Sequence, residues 1–291
     1  MPRPWTLAAA YAVCTLVWGT TWAAIRFSLE GYPPFLGAGL RFGVAAVVLL
    51  LAAAIARVPL GRERRERGLW ILNGLFTFVV SYGVVYWSEQ WVPSGLGSVL
   101  FATFPLFVAL LAHLFLPGER IAATSTAGIL LGFAGVAVIF SEDLSALGGS
   151  EVGLAGLVML ISPISAAVGS VAVKRWGRGL HPLSTTAPPM LLAALVLGGG
   201  GVAVGEPAHL APSTASTVAL LYLGIFGSAL TFGLYFWLLE HLSATRLSLM
   251  TYLIPVVAVS VGTFWLGEPM TPRVLLGAAL VVAGVALASR R

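Results

Sequence analysis

Within its apolar runs the chain places hydroxyls, one amide and aromatic rings at helical spacing. Asn73, Thr77, Ser81 and Ser88 share one face of the run 69–88, with Phe78 and Val85 beside them and Tyr82 and Tyr86 on the flanks. A face this polar is unsuited to lipid and should look into a bundle. It serves there either as hydrogen-bonding glue between helices or as the wall of a cavity. The run 94–116 has Ser94, Ser98, Pro105 and Ala109 on one face; the run 244–266 has Ala244, Ser248, Pro255 and Val259, with Thr251 and Tyr252 near. Trp18, Thr21 and Trp22 stand in the first run, Ser162 in the sixth and Tyr235 in the eighth. These residue types suit reversible binding of an amphiphile. Rings contact rings and hydroxyls meet charged ends, each hydrogen bond worth only about 0.5–1.5 kcal/mol. The same residues do not form a catalytic constellation.

Ionisable groups in the apolar runs are few. Arg41 is the deepest by position, and His113 sits near the end of the fourth run. An intramembrane charge is a functional candidate, but Arg41 can also snorkel outward or brace a backbone carbonyl, and that structural role is the one expected. Glu89 and Glu240 lie at run ends, where solvation is expected. No pair of carboxylates at membrane depth offers a proton relay, which points to facilitated diffusion or weak ion coupling. No phosphate-binding Gly-rich loop with Lys is present, and no His-Glu-x-x-His or Cys cluster, so neither ATP, a metal nor another cofactor is expected. No group of Lys or Arg lies in the bundle to hold a phosphate, which argues against phosphorylated solutes.

The elements that must position these side chains follow from composition. Of 291 residues, 58% are hydrophobic and 9% charged. Soluble chains run about 45–50% apolar and about 25% charged, so an all-helical integral membrane protein is expected. The net charge of +5 does not imply a nucleic-acid partner, because the basic residues sit in short loops between apolar runs. The single Cys14 permits no intramolecular disulfide. The N-terminal run is too long for a signal peptide and reads as an uncleaved span. Ten runs are long enough to span, near 5–25, 34–56, 69–88, 94–116, 122–140, 152–173, 183–204, 214–238, 244–266 and 271–288. Pro and Gly mark the joints, and the runs lack the alternation of a barrel wall.

Thirteen of the sixteen Lys and Arg fall on one side if the N-terminus is cytoplasmic: Arg3; Arg57, Arg62, Arg64, Arg65 and Arg67; Arg120; Lys174, Arg175 and Arg178; Arg246; Arg290 and Arg291. Arg26 and Arg273 fall outside with Glu142, Asp143 and Glu151. The positive-inside bias puts both termini in the cytoplasm. The chain also repeats itself. Shifted by 150 positions, Gly83, Trp87, Ser98, Pro105 and Leu116 meet Gly233, Trp237, Ser248, Pro255 and Leu266, and Tyr82 meets Phe232. With one residue of slippage, Glu119 meets Glu268 and Gly128 meets Gly277. The expected architecture is ten transmembrane helices in two inverted five-helix repeats, 1–146 and 147–291, around a central cavity. Inverted repeats place a substrate site at their interface, near the midplane.

With these features the chain resembles the EamA family of the drug/metabolite transporter superfamily. The motifs are Val17-Trp18-Gly19-Thr20-Thr21-Trp22, Leu40-Arg41-Phe42, Phe104-Pro105 and Ile254-Pro255, with Gly118-Glu119 and Gly267-Glu268 at helix ends. The resemblance implies a ten-helix secondary transporter in the cytoplasmic (inner) membrane, and length and aromatic content look most like the YddG-type aromatic amino acid exporters. It also implies that Glu119 and Glu268 brace helix ends. Ala166 and Pro189 stand where Trp18 and Arg41 would repeat, so the halves should line the path unequally. The fifth and tenth runs carry Gly128, Gly132, Gly135, Gly277 and Gly284 and read as peripheral supports, through close packing or dimerisation.

The function expected is export of a small-molecule substrate, an amino acid with an aromatic or apolar side chain, by alternating access with Pro105 and Pro255 as hinges. Other amphiphiles or drugs are the nearest alternative. An intramembrane lipid-modifying enzyme is the alternative from another class, and it would need a paired acid or base at membrane depth. Beyond substrate and lipid bilayer no partner is implied, and a monomer suffices. For the orientation, Cys placed at Arg64 should stay unlabelled by an impermeant thiol reagent on intact cells, while Cys at Ala146 should label. The reverse pattern would invert the assignment.

Overall fold

The computed structural model describes residues 3–61, 63–117, 123–140, 149–267 and 270–288. The helices are α1 (Pro4–Leu29), α2 (Pro34–Ile55), α3 (Arg64–Asn73), α4 (Ser81–Ser88), α5 (Ser94–Phe101), α6 (Phe104–Phe115), α7 (Ala123–Phe140), α8 (Ser150–Met159), α9 (Ile161–Trp176), α10 (Pro182–Ala203), α11 (Thr214–Gly224), α12 (Thr231–His241), α13 (Ala244–Ser248), α14 (Leu253–Leu266) and α15 (Pro272–Ala288). No strand occurs among the described residues. Among the described residues, seven helical stretches are long and apolar enough to cross a membrane. α1, α2 and α10 each open with Pro at the first position, where its fixed φ suits a helix and its missing N–H costs nothing.

Three rods are interrupted where the sequence predicts continuous runs. α5 stops at Phe101 and α6 starts at Phe104, because Pro105 cannot donate into a continuous ladder. The chain tightens instead, and the N–H of Ala102 reaches the carbonyls of Ser98 and Val99. In the same way α13 passes through a 3-10 turn, Leu249–Tyr252, into α14 just before Pro255. Leu160 separates α8 from α9, three residues before Pro163. Two π segments lie elsewhere: Gly74–Val80 joins α3 to α4, and Ile225–Leu230 joins α11 to α12.

The surface of the bundle is apolar. Phe264 and Trp265 are 89% and 78% exposed, and Leu16, Ile55 and Leu195 also point outward. Such a surface fits hydrocarbon rather than water. The chain is therefore an integral membrane protein with an all-helical fold. Its packing partners are specific. α2 lies on α10, α7 on α15, α1 on α14 and α9 on α6. The α2–α10 approach is close at Gly39, where a Cβ would come within 2.5 Å of the backbone nitrogen of Gly198.

The glycines of the fifth and tenth runs face each other within the chain. A Cβ on Gly284 would strike the Gly128 carbonyl at 2.5 Å, and one on Gly135 the Gly277 carbonyl at 2.6 Å. Of the two roles open to them, close packing within the chain is one they perform. Gly284→Leu should push α7 from α15 and cost about 1–3 kcal/mol, lowering both membrane level and melting temperature in detergent. Gly200→Ala, whose Cβ would meet nothing within 4 Å, should be neutral or slightly stabilising in the same assay.

Candidate functional site

A cavity of about 80 Å³ lies between the two halves of the chain. α1 contributes Trp18, Thr21, Trp22 and Ile25. Thr77 comes from the first π segment, and Ser81, Tyr82 and Val85 from α4. Ala166 and Ser170 come from α9, and Phe232, Tyr235 and Phe236 from α12. Phe101, Phe104, Thr251 and Ile254 close it from beside the two proline breaks. The volume suits a few water molecules; an amino acid would need a wider space. No lining residue carries a charge.

The walls are aromatic. Trp18 packs on Phe232 at 5.1 Å and on Tyr235 at 5.4 Å between ring centroids. Tyr82 packs on Phe42 at 5.0 Å and on Phe232 at 6.0 Å. Trp22 meets Phe101 at 5.9 Å on the opposite flank. Most of these pairs are edge-to-face, the arrangement the ring quadrupole favours.

Polar atoms in the wall pair within and between the halves. Ser170 Oγ and the Tyr235 hydroxyl, both of the second half, are 2.7 Å apart, and Ser81 Oγ meets Ser162 Oγ across the halves at 2.8 Å. Asn73 donates from Nδ2 to the Thr185 carbonyl at 2.8 Å, and Thr77 donates to Asn73 Oδ1 at 2.6 Å. The polar face of the third run thus does both things open to it: Asn73 is glue, while Thr77 and Ser81 also face the cavity.

The two π segments expose backbone carbonyls to side chains from other rods. Ser165 donates to the Phe76 carbonyl at 2.7 Å. The Gly227 carbonyl accepts from three donors: Trp18 Nε1 at 3.2 Å, Arg41 Nη2 at 3.3 Å and Thr231 Oγ1 at 2.8 Å. Arg41 also donates from Nε to Ser228 Oγ at 2.8 Å. Arg41 is 0% exposed, so it does not snorkel; it braces a carbonyl, the second of its two expected structural roles.

Of the residues singled out in the sequence, Trp18, Thr21, Trp22, Thr77, Ser81, Tyr82 and Tyr235 stand around this cavity. Phe78, Ser98, Ser162 and Ser248 do not line it. Phe78 is enclosed between Phe42 and Phe232. Ser98 and Ser248 turn back to the carbonyls of Gly95 and Thr245 in their own helices, and Ser162 is used up by Ser81. The Tyr252 side chain lies outside the described residues, as do Glu119, Glu268, Glu142 and Asp143. Sequence reasoning missed Phe232, Phe101, Phe104 and Ser170 as lining residues. Phe232 carried a signal, since it is the repeat partner of Tyr82.

Glu89 corrects another expectation. It is 0% exposed rather than solvated, and its main-chain carbonyl accepts from Arg26. Two further carboxylates are buried and committed to structure. Glu206 accepts from the N–H groups of Phe35 and Leu36 at 3.1 and 2.6 Å, capping the start of α2, where the helix dipole favours an anion. Glu66 accepts from Ser184 Oγ.

Comparison with known proteins agrees with this architecture. A model described as the EamA-like transporter family matches residues 5–141 and again 153–290. The uncharacterized transporter YoaV of Bacillus subtilis is 29% identical over 275 residues, covering 93% of this chain and 92% of its own. The uncharacterized inner membrane transporter YedA of Escherichia coli is 34% identical over 273 residues, covering 94% and 87%. A solved crystal structure shares the fold across 97% of both chains, with a TM-score of 0.73 and 23% identity.

Trp18→Phe keeps a ring against Phe232 and Tyr235 but deletes the donor to Gly227. It should cost about 0.5–1.5 kcal/mol, seen as a melting temperature a few degrees lower in detergent. Trp18→Ala should lower it further. An unchanged melting temperature for both would remove Trp18 from the contacts that hold the halves together.

Proposed function

This chain belongs to the EamA-like transporter family, and on that premise we propose that it exports small amphiphilic metabolites, chiefly amino acids with aromatic or apolar side chains. The supporting observation is the cavity itself: rings on its walls, hydroxyls of Thr21, Thr77, Ser81, Tyr82, Ser170 and Tyr235 among them, and no charge in the lining. That surface grips an apolar side chain and lets it go. Among the described residues its lining holds no paired acid and base, the groups that the rival reading as an intramembrane lipid-modifying enzyme would call for. Other small amphiphiles or drugs remain within the same chemistry.

In this reading the units 1–146 and 147–291 are inverted five-helix repeats. The packing supports it, since exchanging the halves maps α1 on α14 to α9 on α6 and leaves α2 on α10 and α7 on α15 unchanged. The breaks before Pro105 and Pro255 lie at matching places beside Phe101, Phe104, Thr251 and Ile254, so bending there would open the cavity to one side and then the other. Both termini are placed in the cytoplasm of a cell whose inner membrane holds the protein.

The buried Glu89 favours a second reading of the energetics. A carboxylate held from water is the group a proton-coupled cycle would use, in place of facilitated diffusion.

Reconstitution tests both points. In proteoliposomes, labelled phenylalanine, tryptophan and leucine should exchange, whereas glutamate and lysine should not. Tyr82→Ala and Trp18→Ala should slow flux about twofold to tenfold each, the worth of one lost aromatic contact, with membrane levels unchanged. Normal flux in both variants would remove the cavity from the path. Uphill uptake under an imposed pH gradient, lost in Glu89→Gln, would assign coupling to Glu89. Flux indifferent to the gradient would keep facilitated diffusion.

A further inference from the structure

The charge of Arg41 stands directly behind the cavity wall. Its guanidinium offers five N–H donors and cannot shed its proton. Nε and Nη2 are used by Ser228 and Gly227, but Nη1 is buried without a hydrogen-bond partner. No ion pair involves Arg41 among the described residues. What surrounds the charge instead is aromatic: Cζ lies 4.7 Å from the ring centroid of Tyr82, 5.6 Å from Phe42 and 6.0 Å from Tyr86. The buried Tyr86 hydroxyl faces Arg41 and Ser28 without a hydrogen bond of normal geometry to either. A full positive charge held from water without an anion is costly, and such charges are ordinarily paired.

The guanidinium is one side chain away from the cavity. Tyr82, on whose ring it rests, is a lining residue. So is Thr21, and a Cβ built on Gly227 would have Thr21 Cγ2 at 2.8 Å and Arg41 Nη2 at 3.5 Å as neighbours. Two lining side chains therefore cover a cation whose remaining donor is unspent, beside a cavity whose own lining is neutral. In a low-dielectric interior such a charge acts through one layer of side chains.

We propose that Arg41 is the specificity-determining charge of this site: it attracts solutes that carry a carboxylate and turns away those that carry only a cation. The proposal rests on the reading of the cavity as a site for aromatic amphiphiles and names the end group such a solute must have. Arg41 supplies the missing counter-charge for the solute, and the solute supplies the missing anion for Arg41. Its hydrogen bonds to Gly227 and Ser228 hold the fork in place while Nη1 stays available. The repeat position of Arg41 is Pro189, so the cation is present on one side of the cavity only.

Three probes with one ring and different ends test this: 3-phenylpropionate, L-phenylalanine and phenethylamine, binding at equilibrium to the full chain in nanodiscs. The unmodified protein should hold the first two about tenfold or more tighter than the amine, since a like charge opposed across a site is strongly disfavoured. Arg41→Met should shrink that gap to about twofold or less, and Arg41→Gln, which keeps hydrogen-bond donors but carries no charge, should do the same. If Arg41→Met does not fold, Arg41→Gln decides. Equal binding of amine and carboxylate by the unmodified protein overturns the proposal, as does a folded Arg41→Met variant that keeps the full gap. In either case ring recognition, and with it the proposed function, would stand. Binding of none of the three would instead sink the aromatic reading and this inference with it.

Discussion

Hydrocarbon offers no hydrogen bonds, so every backbone group inside this bundle must find its partner in the protein. That constraint is most pressing where the α ladder is interrupted, and the chain interrupts it repeatedly at the centre. The π segment Ile225–Leu230 is the clearest case. Its Gly227 carbonyl takes donors from Trp18 on α1, Arg41 on α2 and Thr231 on α12. One acceptor thereby fixes the position of a cavity wall, a buried charge and the entry to α12. Glycine is needed at that point, because a side chain would collide with Thr21. Trp18 and Arg41, from two different helices, are thus oriented by one shared acceptor.

The first π segment does the corresponding work for the other half. Ser165 on α9 donates to the Phe76 carbonyl in Gly74–Val80, as Trp18 on α1 donates to Gly227 in Ile225–Leu230. The chemistry is shared but the side chains are not. A serine reaches one carbonyl with a small group; a tryptophan reaches the other while presenting its ring to Phe232 and Tyr235. At the Trp18 repeat position Ala166 leaves space in the opposite wall. Similar backbone breaks can therefore frame a lopsided cavity, ringed on one side and open on the other.

Much of the architecture was legible in the sequence because it is written in breakers and composition. Pro34, Pro182 and Pro272 start helices where the apolar runs begin, and Pro105 and Pro255 mark rods that are interrupted. The lining was legible where an aromatic or hydroxyl residue recurs on a polar face, as with Thr77, Ser81 and Tyr82. It was not legible where a hydroxyl can satisfy itself. Ser98 and Ser248 sit at repeat-related positions and look alike to a pattern, yet each turns to a carbonyl three residues back. Whether a serine bonds its own helix or points inward depends on rotamer and packing, which spacing does not encode. Glu89 misled for a similar reason. A carboxylate at the end of a run ordinarily meets water, and only the assembled bundle shows that here it is covered.

Arg41 joins these themes. In a continuous helix bundle a buried guanidinium would have few acceptors, because the backbone carbonyls are already engaged. The π segment supplies Gly227, Ser228 supplies its hydroxyl, and the faces of Tyr82 and Phe42 supply negative quadrupole density. Together these make a full positive charge tolerable in the interior without giving it an anion. The sequence placed this arginine deep in an apolar run but could not distinguish a snorkelling residue from a bracing one, because its acceptors come from a segment 186 and 187 positions away. The same distance explains why the arrangement couples the halves. Any motion that shifts α11 and α12 relative to α2 must stretch two hydrogen bonds to a charge that has nowhere else to go, so the guanidinium should travel with the second half's π segment rather than with its own helix's lipid face. A cation fixed in that way stays behind the Tyr82 ring for as long as these two hydrogen bonds hold.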